Sequence, residues 1–97
     1  MALEMDFEDP NRKVTFLRCY WKIVGVREYK EEVELIVTCY FDRSKADLDK
    51  KFSPNTYYGL AQFFYKFTPS YNKKVNIIKQ GYRFLKKLEY FKNAQNV

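Results

Sequence analysis

Histidine is absent from this chain, cysteine occurs twice, and glycine and proline occur three times each. Without histidine the usual zinc ligand sets and any histidine-based acid–base chemistry are excluded. Gly25, Gly59 and Gly81 stand alone, so there is no glycine-rich phosphate loop and no Gly-x-Ser-x-Gly elbow. The acids lie in an N-terminal stretch, in loops and on strand faces, with no spacing that suggests a catalytic pair, and neither an enzyme nor a cofactor is expected. No apolar run approaches the roughly 20 residues that cross a bilayer. Met1 to Pro10 is acidic where a secretory leader would carry bases and an apolar run. The expectation is a soluble protein of the host-cell cytoplasm with no membrane partner.

What is abundant is positive charge and aromatic rings. The formal net charge is +6, and nine tyrosines, nine phenylalanines and one tryptophan stand among 97 residues. The charge is unevenly placed. Glu4, Asp6, Glu8 and Asp9 have no base among the first ten residues, whereas from Lys51 to Val97 nine bases face Glu89 alone. Charge of this kind speaks to partners rather than to fold, and phosphate backbones are its commonest partner.

The organising stretch is Val14 to Phe41, two runs rich in β-branched and aromatic residues joined by Arg27-Glu28-Tyr29-Lys30-Glu31. Alternate side chains on a strand point to opposite faces. Odd positions give an apolar face with Leu17, Cys19, Trp21, Ile23, Val33, Leu35, Val37 and Cys39. Even positions give Phe16, Arg18, Tyr20, Lys22 and Tyr40, a face of rings and cations. The turn lacks Asn-Gly or Asp-Gly, so a loop of three to five residues is expected. With the loop centred near Tyr29, Cys19 stands opposite Cys39, Trp21 opposite Val37 and Arg18 opposite Tyr40. The two thiols are then either buried and free or joined as a cross-strand disulfide, which needs that opposition.

The remainder reads as helical. Ser53-Pro54 is an N-cap followed by proline at the first helical position, and Tyr57, Leu60, Phe64 and Phe67 follow one helix face, predicting a helix over 54–67. Thr68-Pro69-Ser70 then opens a second helix over 71–91, with Lys79, Arg83, Lys86 and Lys87 turned away from a wide apolar stripe. Gly81 marks either a kink in it or a division into two strands. Residues 1–12 read as an acidic flexible tail. The expected class is α+β: an antiparallel hairpin or small sheet, about 13–26 and 32–43, packed with two helices in a single domain over 13–97.

Lys50-Lys51-Phe52-Ser53-Pro54-Asn55-Thr56-Tyr57-Tyr58-Gly59-Leu60 resembles the strand-to-helix junction of the transcriptional-coactivator type of dimeric single-stranded DNA-binding domain. There, proline, an aromatic three on and an aliphatic six on open the helix. The likeness covers eleven residues. That family's four-strand meander before the helix is not visible in this sequence, and the second long helix departs from it.

The functional expectation is non-enzymatic binding of single-stranded DNA or RNA. Phe16, Tyr20 and Tyr40 would stack on bases, Arg18 and Lys22 would meet phosphates, and Lys79, Arg83, Lys86 and Lys87 would add backbone contacts. Two strands rarely make a stable domain alone, so either further strands come from the linker and C-terminal region or two chains join sheets, and a homodimer is expected. The alternative is a small viral or phage interaction protein that modulates a host protein, with residues 4–9 as its docking peptide.

Overall fold

The structure, a computed structural model, describes residues 1–51, 59–70 and 76–97, with 49–51 described as backbone only. Strands β1 (Leu3–Asp9), β2 (Val14–Glu28) and β3 (Val33–Tyr40) are followed by helix α1 (Arg43–Lys51), strand β4 (Gly59–Phe67), helix α2 (Ile77–Lys87), a 3₁₀ turn (Glu89–Phe91) and a short β5 (Gln95–Asn96). The strands form one antiparallel sheet in the order β4-β3-β2-β1-β5. This is an α+β fold, as the hairpin and the helical segment predict.

The expected tail is a strand. Leu3, Met5 and Phe7 alternate with Glu4, Asp6 and Glu8, and β1 pairs with β2 from Leu3↔Trp21 to Asp9↔Val14. The acidic partners of that alternation hide a period-two pattern that the apolar residues carry clearly. The turn into β2 is closed by Asp9, whose Oδ1 accepts from the Asn11 and Arg12 amides at 2.9 and 3.2 Å.

The hairpin is real, but its register lies two residues from the expected one. Tyr20 faces Tyr40, Trp21 faces Cys39 and Ile23 faces Val37, so Cys19 and Cys39 are diagonal neighbours, and both thiols are buried and free. Two bulges in β2 then reverse which residues face inward. Between Met5↔Cys19 and Phe7↔Phe16 an extra residue enters β2, with Arg18 at φ 54 in the left-handed region and its amide held by Asp6 Oδ1 at 2.8 Å. Phe16 therefore turns toward the core side, and Leu17 turns out, 70% exposed. Between Ile23↔Val37 and Gly25↔Ile36 a second extra residue, Val24, is exposed, and Val26 packs inward.

The helix expected over 54–67 is instead strand β4 across 59–67, and 54–58 lie outside the described residues. Ala61, Phe63, Tyr65 and Phe67 pack against the core while Gln62, Phe64 and Lys66 face out. The run fits both periods, and its ring-rich composition suits a pleated surface beside β3. The second expected helix shortens to α2. Asn76, rather than Ser70, caps it by accepting from the Lys79 amide at 2.8 Å, the chain leaves it at Leu88, and 71–75 lie outside the described residues.

Gly81 neither kinks α2 nor divides it. A Cβ there would stand 2.9 Å from Leu35 Cδ2 and 3.0 Å from Ile23 Cδ1, so glycine lets the helix lie directly on the sheet. The propensity cost is about 1 kcal/mol. Full burial of one such aliphatic side chain contributes roughly 1.5–3 kcal/mol, so packing prevails. Tyr82 and Leu85 enter the core with Trp21, Leu35, Val37 and Phe91, and the Tyr82 hydroxyl accepts from the Ile23 amide at 2.9 Å beside the second bulge. The opposite face of the sheet is partly closed as well: Thr38 and Tyr40 are buried there, at the end where α1 meets β2, β3 and β4.

Candidate nucleic-acid interface

The expected ring-and-cation platform on the sheet assembles only in part, without two of its three rings. Tyr40 is 1% exposed. Phe16 lies on the core side of the bulge, half-buried and edge-on to Phe41 at 6.4 Å. Tyr20 and Lys22 are half-buried on the reverse face, opposite Tyr40 and Thr38. The Arg18 side chain is 80% exposed and its Nε donates to Glu4 Oε1 at 3.0 Å. Parity places these five side chains together; the first bulge takes Phe16 away and Tyr40 is closed, while Arg18 and Tyr20 still line one cleft and Lys22 shares their face.

The helix cations do share a surface. Gly81, Tyr82 and Leu85 hold one side of α2 against the sheet, and Lys79, Arg83, Lys86 and Lys87 all lie exposed. The salt bridges among the described residues are Arg12–Asp9, Arg18–Glu4, Arg27–Glu34 and Lys92–Glu89, and none involves these four. Lys86 and Lys87 have a local reason to be basic, since they stand in the last turn, where the helix dipole favours cations. Lys79 stands in the first turn, where the dipole opposes a cation and no acid is present. Its charge is not explained by the helix.

Beside this surface runs a shallow cleft of about 370 Å³ lined by Phe67, Thr68, Ser70, Arg83, Phe84 and Lys87. The Phe67 and Phe84 rings lie nearly parallel, with centroids 5.2 Å apart. Gln80 joins its rim to α2: its side chain accepts from the Ser70 amide at 2.8 Å and donates to the Ser70 carbonyl at 3.0 Å. Sequence reading missed these rings because it placed Phe67 in a helix core. The cue was available in the alternation Phe63, Tyr65, Phe67. Phe67 and Phe84 are both half-buried against the core; exposed rings lie apart, among them Phe64 on the reverse face and Tyr29 in the hairpin loop with Lys66 Nζ 5.0 Å from its centre.

Perturbed titrations sit away from the α2 cations. Burial alone would raise the Asp9 carboxyl, but the Arg12 and Asn11 amides and the Arg12 guanidinium outweigh it and hold the group below the ordinary carboxylate range. Burial pushes up the Cys19 and Cys39 thiols and the Tyr65, Tyr82 and Tyr90 phenols, which keeps them protonated at neutral pH. Among the described residues no group of three or more cysteines and carboxylates is placed to hold a metal ion, and no helix is long and apolar enough to cross a membrane.

Comparison with known proteins finds no family model, no curated protein and no solved structure that matches this chain. Function must therefore be argued from its own side chains.

Proposed function

We propose that this is a non-enzymatic nucleic-acid-binding protein that holds a phosphate backbone on α2. The observation that carries the reading is the exposed set Lys79, Arg83, Lys86 and Lys87, which has no carboxylate partner among the described residues and is basic even at the helix end where the dipole opposes it. Cations left unneutralised are the footprint of a polyanion, whose condensed counterions are released on binding. The parallel Phe67 and Phe84 rings beside Arg83 and Lys87 favour a single strand, whose bases are free to reach a ring.

The test is fluorescence anisotropy of labelled single-stranded and duplex oligonucleotides at rising salt. Wild type should bind single strands more tightly. Lys79→Glu/Lys86→Glu should lower the slope of log affinity against log salt by roughly 0.7 per phosphate contact removed. Absence of binding at about 50 mM salt, where such contacts are strongest, overturns the reading. So does a double variant with the wild-type slope.

A second copy of the chain is the other partner we propose. Among the described residues β4 is an edge strand, nine residues long with Lys66 as its one charged residue, without the prolines or repeated charges that usually blunt such an edge. Light scattering reporting a monomer at all concentrations would sink the dimer and leave the α2 reading intact. A partner protein for residues 4–9 would meet strand β1, paired with β2 and at Glu4 with β5, rather than a free peptide.

A further inference from the structure

Phe7 on β1 and Phe63 on β4 are three strand spacings apart in the sheet order, about 14 Å if the sheet were flat. Their ring centroids are 6.0 Å apart. The two rings therefore lean together over the core face, helped by bulges in β2 and at Leu60 of β4, which bend the strands that carry them. Phe91 and Leu85 fill the middle of the resulting trough. Its end beneath the Asp9–Arg12 turn stays open as a cleft of about 600 Å³, walled by Phe63, Tyr65 and Tyr90 and floored by Phe7.

We propose that this cleft takes one unstacked nucleobase from the strand held on α2. The inference rests on the α2 reading and adds a base site to it. Its size falls within the roughly 300–1,000 Å³ usual for small-ligand pockets. Its lining holds four aromatic residues, Phe7, Phe63, Tyr65 and Tyr90, the side-chain type on which bases of any identity stack. Tyr65 and Tyr90 line it, and burial holds their phenols protonated. The lip carries Glu8 beside the Asp9–Arg12 pair, so it offers no net positive charge to a phosphate. The chemistry is divided: rings for the base here, cations for the backbone on α2. Tyr90, half exposed, lies three residues beyond Lys87, within roughly 10 Å along the chain.

The molecule carries its own reporter. Trp21 is the single tryptophan, fully buried, with the Phe63 ring stacked on it at 5.7 Å and Tyr90 edge-on at 5.9 Å. A ligand against Phe63 and Tyr90 must alter its emission. The experiment titrates the full chain with adenosine and cytidine, which carry no phosphate, to roughly 10 mM, a decade above a millimolar Kd. It also compares a labelled single strand with the same strand bearing one abasic position.

We expect a saturable change in Trp21 emission. We expect a loss of about 5- to 150-fold in nucleoside affinity for Tyr90→Ala, the range of one stacked ring. No loss is expected for Lys86→Glu. Tyr90→Leu, which keeps apolar packing against Trp21, serves if the alanine variant does not fold. No saturable nucleoside signal, together with equal binding of intact and abasic strands, overturns the base site, and salt-dependent strand binding would then still support α2. Nucleoside binding without any strand binding overturns the α2 reading and keeps the cleft as a nucleoside site.

Discussion

β1 and α2 carry opposite charge and use it in opposite ways. β1 holds Glu4, Asp6, Glu8 and Asp9 with no base, and α2 holds Lys79, Arg83, Lys86 and Lys87 with no acid. Three of the four acids are engaged within the fold. Glu4 meets Arg18, Asp6 accepts from the left-handed Arg18 amide, and Asp9 closes the β1–β2 turn and pairs with Arg12. The cations of α2 answer to no described carboxylate. Local charge density therefore does not by itself indicate a partner surface. The charges left over after the fold has satisfied its own do.

The contrast can be broken in four ways, taken from the largest expected effect. Leu85→Ala removes the fully buried anchor of α2 and should cost about 2–5 kcal/mol in denaturant unfolding, the range for such cavities. Strand binding should weaken with it if the helix is the contact. Lys79→Glu/Lys86→Glu should reduce single-strand affinity at least tenfold at about 100 mM salt through lost phosphate contacts. The same variant should move the unfolding midpoint by little, since exposed charges away from partners shift stability within about 0.5 kcal/mol. A large stability loss there would show that these cations serve the fold.

Asp6→Ala is the mirror case. It strips the acceptor from the Arg18 amide and should cost about 1 kcal/mol, with oligonucleotide affinity unchanged within twofold. A marked gain or loss of affinity would place β1 in the interface. The smallest effect is a pH dependence. The Asp9 carboxyl is depressed in the folded state, so its contribution is present above the unfolded value of about 3.9 and is lost as pH falls through the lower folded value. Unfolding measured across the acid range should show Asp9→Asn less stable than wild type at neutral pH, with the difference closing in acid. A gap that stays constant would remove Asp9 as a source of acid sensitivity.

Much of the fold is visible in residue order, and the errors have identifiable causes. The Val14–Phe41 hairpin follows from two alternating β-branched runs, and its four-residue loop 29–32 from the lack of a tight-turn pair. β1 was readable in Leu3-Glu4-Met5-Asp6-Phe7 but was masked by its charge. β4 was mistaken because Leu60, Phe64 and Phe67 fit a helical course while Ala61, Phe63, Tyr65 and Phe67 fit a strand. A short ring-rich run satisfies both periods. The α2 cations were found because helical spacing places them away from the apolar stripe. The platform of Phe16, Tyr20 and Tyr40 fails at two of its rings, because parity cannot show the bulge that turns Phe16 inward or the tertiary cover that closes Tyr40.

Residue order alone determined the alternation, the class and the exposure of the helix cations, since each follows from spacing within one element. Only the tertiary structure decided which rings are reachable. The bulges that reverse the faces are held from afar, one by Asp6 twelve residues from Arg18 and the other beside an Ile23 amide that donates to Tyr82 fifty-nine residues on. An inserted residue changes the face of every side chain beyond it, so a contact distant in the chain sets what a local pattern cannot.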